Sequence, residues 1–209
     1  MTKITVLGVG RIGKAIAIDL EKNYHVTAVD SDSYALDQLA QDNSNIQLQQ
    51  RDLLDTVQLG NAIKHADLVV SAVPGFMGYQ TLQKIITGNK NVIDISFFPE
   101  NSLSLDKLAK KHKVTAIVDM GVAPGMSNLI LGHHDTQMEV QEFCCMVGGL
   151  PKYPKPPFNY KAPFSPIDVI EEYTRPARII VNGEIVTKSA LTDIEQVELP
   201  QIGTLEAFN

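Results

Sequence analysis

From Lys3 to Asp119 the chain alternates short apolar runs with amphipathic stretches. "KITVLG" reads as a buried strand, and "RIGKAIAIDLEKN" after it repeats Ile12, Ala15, Ile16 and Leu20 at near-helical spacing. "HVTAVD" predicts a second strand and "SYALDQLAQD" a second helix, opened by one of the capping residues Ser31, Asp32 or Ser33. "IQLQQRD", "ADLVVSAV", "NVIDIS" and "VTAIVD" read as strands three to six, with helices over "VQLGNAIKH", "MGYQTLQKIITGN" and "SLDKLAKKH" between them. Alternation of this length predicts parallel strands joined by right-handed crossovers, a Rossmann-type doubly wound α/β sheet. The strands are near-continuously apolar, as a sheet covered on both faces requires.

The stretch "IVDMGVAPGMSNLILGHH" then gives one more strand, turn and helix, the turn holding Gly121, Pro124 and Gly125. The first domain is expected to close near residue 135, and residues 136–209 to begin a second, α+β region. Its texture is different: six of the eleven prolines fall between Pro151 and Pro166. Phe158, Tyr160 and Phe164 are interleaved with them, which predicts a long shaped loop rather than a plain linker. "VQEFCCMVGG" before it reads as a strand, and "ARIIVNGEIVTKSAL" after it as a hairpin turning at Asn182–Gly183. The last segment, "VELPQIGTLEAFN", stops where another element is expected, and about 70 residues are marginal for a core of their own. The second region is therefore expected to be incomplete.

Composition narrows the function. A formal net charge of −6 with no Lys/Arg-rich run excludes a general nucleic-acid binder, which needs a basic surface. The longest apolar runs are too short to span a bilayer, and "MTKITVLG" enters a strand without a signal-peptide pattern, so a cytoplasmic protein is expected. Cys144 and Cys145 are adjacent in an apolar run, and no His/Cys spacing suits zinc. They are expected as packed strand thiols, with no metal site in the chain.

The first turn reads Gly8–Val9–Gly10–Arg11–Ile12–Gly13. It follows a strand, opens a helix, and is followed by Asp30 at the end of the second strand, which is the context a dinucleotide site requires. Gly8 makes the tight turn, Gly10 lets backbone approach a pyrophosphate, and Gly13 lets helix and strand pack closely. The pyrophosphate then meets exposed N–H groups at the positive helix end. A carboxylate at Asp30 accepts hydrogen bonds from ribose hydroxyls and repels a 2′-phosphate, and "DSDSYA" supplies no cation, so NAD is expected. Asp52, closing the third strand, either faces the adenine or caps a helix. Val73–Pro74–Gly75, closing the fourth, either lies beside the cofactor or is plain turn chemistry. The turn holding Gly121, Val122 and Pro124 adds N–H donors and shape to the same crevice, on the far side of the nicotinamide.

"GVAPGMSN", "GGLP", "YKAPFSP" and "EEYTRPA" resemble the saccharopine dehydrogenase/reductase-like family, and most closely its lysine 6-dehydrogenase branch. The resemblance covers nearly the whole chain. It implies an NAD(P)-linked oxidoreductase acting on a carbon–nitrogen bond of an amino acid. It also implies a second domain that binds substrate and forms a homodimer. In the lysine 6-dehydrogenase branch the side-chain amine of lysine is oxidised to the semialdehyde. Saccharopine reductases read "GLDPG" at the second turn, whereas Ala123 stands here at the aspartate position, and family members continue well beyond Asn209. The alternatives are a saccharopine or carboxynorspermidine-type reductase, or a non-catalytic NAD(H)-binding module.

For such chemistry Asp119, at the end of the sixth strand, is the carboxylate best placed to attract a cationic amine; capping of the next turn is its other reading. Ser96 and Phe97, after the fifth strand, contact substrate or nicotinamide, or only pack the loop. From the family-specific segments, Arg175 is a carboxylate anchor, with a surface or dimer ion pair as the alternative. Lys161 holds a carboxylate or takes a proton when desolvated, and Tyr173 accompanies them. His133 and His134 fit a helix C-terminus better than an acid/base role.

Overall fold

The computed structural model describes residues 1–42, 45–153, 155–156, 160–161 and 164–209. Phe158 of the proline-rich stretch lies outside the described residues, as do Ala162 and Pro163 of "YKAPFSP".

Six strands form one parallel sheet: β1 (Lys3–Leu7), β2 (His25–Asp30), β3 (Gln47–Gln50), β4 (Leu68–Ser71), β5 (Asn91–Asp94) and β6 (Ala116–Ile117). Their order is β3-β2-β1-β4-β5-β6, so the chain reverses direction across the sheet between β1 and β4. β1 pairs with both, Leu7 lying opposite Val29 on one side and Ser71 on the other. In such a sheet ligands bind outside the carboxyl ends of the strands at that reversal. The expected sixth strand shortens to Ala116–Ile117 at the edge of the sheet, where it pairs with β5.

Strand alternation sends side chains to two apolar layers. Ile4, Val6, Val26 and Ala28 meet Ala17 of α1 (Arg11–Glu21) and Leu36 and Leu39 of α2 (Ser33–Asp42). On the other face Leu7, Val29, Val69 and Val92 meet Leu59 and Ile63 of α3 (Thr56–Ile63) and Leu82, Ile85 and Ile86 of α4 (Gly75–Thr87). Leu105, at the end of the short 3-10 turn Ser102–Leu105, closes that layer just before α5 (Asp106–His112). Met77, Leu82, Ile85 and Ile86 recur on one face of α4, and each fully buried aliphatic side chain contributes roughly 1.5–3 kcal/mol. α6 (Met126–Asp135) follows the second glycine-marked turn.

The chain divides into two compact units, Met1–Phe143 and Cys144–Asn209. The second holds α7 (Pro166–Thr174) and two antiparallel ribbons, β7 (Ala177–Val181) with β8 (Glu184–Lys188) and β9 (Glu195–Leu199) with β10 (Gly203–Ala207). Asn182 and Gly183 both take positive φ, 52° and 81°, which matches the twist a two-residue hairpin needs. The second ribbon and α7 were not expected from the sequence. Pro166 starts α7, where its missing N–H removes nothing, rather than breaking it.

The strand expected before the proline-rich stretch is absent among the described residues. "VQEFCCMVGG" forms no strand, and Cys144 and Cys145 are exposed rather than packed. A strand exists only through its ladder, and no described segment supplies one to these residues.

Candidate functional site

The glycine loop is built by contact. Gly8 has φ +87° and donates its N–H to the Val29 carbonyl (2.9 Å), and a Cβ on it would lie 2.5 Å from the Ala72 oxygen. A Cβ on Gly13 would lie 1.9 Å from the Gly8 oxygen, so α1 rests directly on the β1 turn. A Cβ on Gly10 would meet nothing within 4 Å. Gly10 is the N-cap of α1 and offers no side chain to its N–H groups, and no acidic residue occupies the first turn. Open space in front of an uncapped, positive helix end fits a dinucleotide's pyrophosphate.

Asp30 is half-buried and holds this loop: Oδ2 accepts the Val9 N–H at 2.6 Å, and Oδ1 the Asp32 N–H at 2.9 Å. Each carboxylate oxygen keeps a second lone pair for a ribose hydroxyl. The Arg51 N–H donates to the Asp30 carbonyl (2.9 Å), and Ser31, Gln50, Arg51, Asp52 and Gln58 line a hollow of about 290 Å³ beside it. Asp52 there accepts the Leu54 N–H (2.9 Å), while the cap of α3 is Asp55, which accepts from Val57 and Gln58. The helix-cap alternative for Asp52 is thus corrected: it makes a turn one step earlier. Arg51 is a cation that sequence reasoning missed, because it reaches Asp30 only through the β2–β3 ladder, in which Asp30 pairs with Gln50.

The remaining strand ends lie on the same edge, because the sheet is wholly parallel. Val73 is buried, and Pro74 is the N-cap of α4, again with no side-chain cap. Ser96 is buried and Phe97 half-buried after β5. Asp119 is exposed, with φ +56°. The second turn folds tightly behind it. The Gly121 carbonyl accepts the Met126 N–H (2.9 Å), Asn128 Oδ1 accepts the Gly125 N–H (2.9 Å), and Gly125 has φ +130° with room for no side chain. Val122 and Pro124 stay exposed on its outside. The Met120 N–H ties this turn to the Asp94 carbonyl (3.0 Å).

Asp94 is the second residue that sequence reasoning missed; its signal was a lone acid closing an apolar strand. It is 0% exposed, and burial pushes its carboxyl up to about 6. The Ser96 N–H and the Ser96 and Ser71 hydroxyls oppose that rise, and the charge of Asp119 adds to it.

The residues expected from the second unit gather around α7. The Lys161 N–H donates to the Gly149 carbonyl (2.9 Å), and the residue is exposed. Tyr173 stacks edge-on with Tyr160 (centroids 6.1 Å apart) and lies 5.7 Å from the Phe208 ring. Arg175 gives Nε and Nη2 to Glu171 at 3.2 and 2.9 Å, so part of its fork is engaged within its own helix end. Burial raises Glu172 above the ordinary carboxylate range, and Tyr160 donates to it at 3.4 Å. His133 and His134 close α6, as a helix C-terminus suits.

Residues 4–117 match the family described as the saccharopine dehydrogenase NADP binding domain, and residues 121–209 the saccharopine dehydrogenase C-terminal domain. Mouse mitochondrial alpha-aminoadipic semialdehyde synthase is 26% identical over 136 residues, 62% of this chain and 15% of its own. The saccharopine dehydrogenase [NADP(+), L-glutamate-forming] of Pyricularia oryzae is 25% identical over 141 residues, 64% of this chain and 31% of its own. The chain thus spans less than a third of these curated relatives. Apo saccharopine dehydrogenase (L-Glu forming) from Saccharomyces cerevisiae has the same fold over 100% of this chain and 49% of its own, with a TM-score of 0.69 at 17% identity.

Proposed function

We propose, from the premise that this chain belongs to the saccharopine dehydrogenase family, that it is the nicotinamide-binding part of an oxidoreductase acting on the carbon–nitrogen bond of an amino acid. The observation that carries the reading is the shared edge: an uncapped helix end behind Gly10, a ribose-height carboxylate at Asp30, and Asp119 beside a second glycine-marked turn. When bound, the nicotinamide supplies the hydride acceptor or donor. The chain's own residues supply orientation. Gly8 and Gly13 bring α1 against the sheet, Asp30 accepts from the ribose, and Asp119 attracts a cationic amine at the far end of the crevice.

Our first reading is NAD(H) with lysine, oxidised at its side-chain amine; Ala123 in place of the aspartate of saccharopine reductases supports a smaller substrate than saccharopine. Lys161, Tyr173 and Arg175 belong to the substrate side in this reading, with a homodimer as the working assembly. A second reading, NADP(H) with saccharopine, is favoured by Arg51, which lies one residue beyond the partner of Asp30 in the β2–β3 ladder. Titration with NADH and NADPH, followed by nicotinamide fluorescence, separates the two. Tighter NADH supports the first and tighter NADPH the second; binding of neither overturns both. Amine-dependent NAD reduction by the complete protein then tests lysine against saccharopine.

A further inference from the structure

Three buried polar side chains at the ends of β4 and β5 have no role in the cradle just described. Ser71 and Asp94 are register partners, both 0% exposed, and Ser96 is 3% exposed. Ser71 and Asp94 continue the columns of Val69 and Val92, so they lie on the sheet face covered by α4. Ser71 Oγ, Asp94 Oδ2 and Ser96 Oγ have no hydrogen-bond partner, although both hydroxyls stand near enough to act on the Asp94 carboxyl. Buried polar atoms without partners are rare, and three in one cluster require a cause.

A proton on Asp94 makes them tolerable, because a neutral carboxyl costs far less to leave buried than a carboxylate. A neutral carboxyl is an O–H donor, and the serine hydroxyls beside it can each accept and donate. The cluster is also tightly enclosed. A Cβ on Gly78 of α4 would lie 2.7 Å from Ser96 Cβ and 2.6 Å from Phe98 Cδ1, so the helix lies directly on the turn after β5. Asp94 Oδ1 takes the Ser96 N–H at 2.5 Å, and the Asp94 carbonyl takes the Met120 N–H. One residue therefore joins β4, the Ser96–Phe98 turn and the turn after Asp119.

We propose that Asp94 is a positioning residue: with the Ser71 and Ser96 hydroxyls it forms a buried clamp that sets the two turns bordering the substrate side of the cofactor crevice. The proposal rests on the reading that this edge holds a nicotinamide cofactor. Its sensitivity to pH follows from the surroundings. Asp119 at the end of β6 is the charged group acting on Asp94; β4 presents Ser71, and the first turn of α4, Gly75 to Gly78, carries no charge. The folded carboxyl holds its proton to about pH 6, against an ordinary 3.8. The stability this proton contributes is fully present below 3.8 and is lost as pH rises through about 6.

The test compares the chain with its Asp94→Asn variant, in which an amide N–H₂ permanently replaces the acid O–H. Melting temperature and NADH affinity are measured from pH 5 to pH 8. The expected result is a wild-type affinity that weakens severalfold through that window, a level affinity in Asp94→Asn, and a melting temperature at pH 8 that is higher in the variant. Ser71→Ala should weaken the pH response without abolishing binding. An Asp94→Asn variant that keeps the wild-type pH dependence of melting overturns the clamp. NADH binding with the same pH profile in both proteins, or a level wild-type profile, overturns the positioning role alone. Binding of neither NADH nor NADPH by either protein overturns the cofactor reading and the positioning role with it.

Discussion

Gly13→Ala should destabilise the first unit, against the ordinary rule for a helix. In an exposed helix interior, glycine to alanine gains about 1 kcal/mol. Here the new Cβ would lie 1.9 Å from the Gly8 oxygen, 3.0 Å from its carbonyl carbon and 3.3 Å from Ala72 Cβ. Ordinary contact begins near 3.5 Å, so α1 must lift by about 1.5 Å unless Gly8 yields. Gly8 has nowhere to go: its φ is +87°, its N–H is on Val29 and it abuts the Ala72 oxygen. Lifting α1 draws the fully buried Ala17 and its half-buried neighbours Ile16 and Leu20 out of their layer. A gap of 0.5–1 Å already forfeits a quarter to a half of a dispersion contact. Overpacking of this kind costs about 1–3 kcal/mol, and because neither Gly8 nor Ala72 can yield, the upper end applies; with the propensity gain of about 1 kcal/mol subtracted, a net loss of about 2 kcal/mol remains.

The assay is urea unfolding followed by circular dichroism, with Gly10→Ala as companion. A Cβ on Gly10 meets nothing within 4 Å, so its stability should fall only by the roughly 0.5–1 kcal/mol by which alanine is a poorer N-cap than glycine. That same open space is where a pyrophosphate would lie, so Gly10→Ala should lose NADH affinity while staying folded. A Gly13→Ala chain as stable as the wild type refutes the packing argument. A Gly10→Ala chain that binds NADH normally refutes the placement of the phosphates.

Gly125→Ala should disrupt the second turn, since φ is +130° and its Cβ would lie 2.2 Å from the Gly121 oxygen; loss of amine turnover in the complete protein, with NADH affinity weakened, is the expected result. Arg51→Ala should weaken NADPH more than NADH, measured as a ratio of dissociation constants; an unchanged ratio removes Arg51 from cofactor selection. Raising the Asp94 carboxyl from 3.8 to about 6 corresponds to about 3 kcal/mol, so unfolding at pH 8 should be easier than at pH 4 by up to that amount from this group. Asp94→Asn should remove that difference, read by urea titration at the two pH values.

Much of the first unit was legible because its signals are local and repeated. Six apolar runs with amphipathic stretches between them admit few topologies, and the glycine fingerprint was recognisable from its strand and helix neighbours. What escaped depends on distant partners. "VQEFCCMVGG" has the composition of a strand, yet pairing, not composition, makes one. Pro166 reads as a breaker in a proline-rich stretch and acts as a helix start once α7 follows it. Arg51 lies 21 positions from Asp30 in sequence and beside it through the β2–β3 ladder. Asp94 looked like one polar letter in "NVIDIS"; its burial becomes visible only when β4, α4 and the turn after β5 close around it.

The bond from Val9 N–H to Asp30 gives one side chain two duties, and this limits how the chain can change. Replacing Asp30 with a small neutral residue to admit a 2′-phosphate would also release the loop that cradles the pyrophosphate, so gain at one end of the cofactor is coupled to loss in the middle. A route to altered cofactor choice that leaves Asp30 in place, through Arg51 and the hollow beside Ser31, does not carry that coupling. In a lineage drifting between the two dinucleotides, substitutions should therefore collect at the end of β3 before they reach the end of β2.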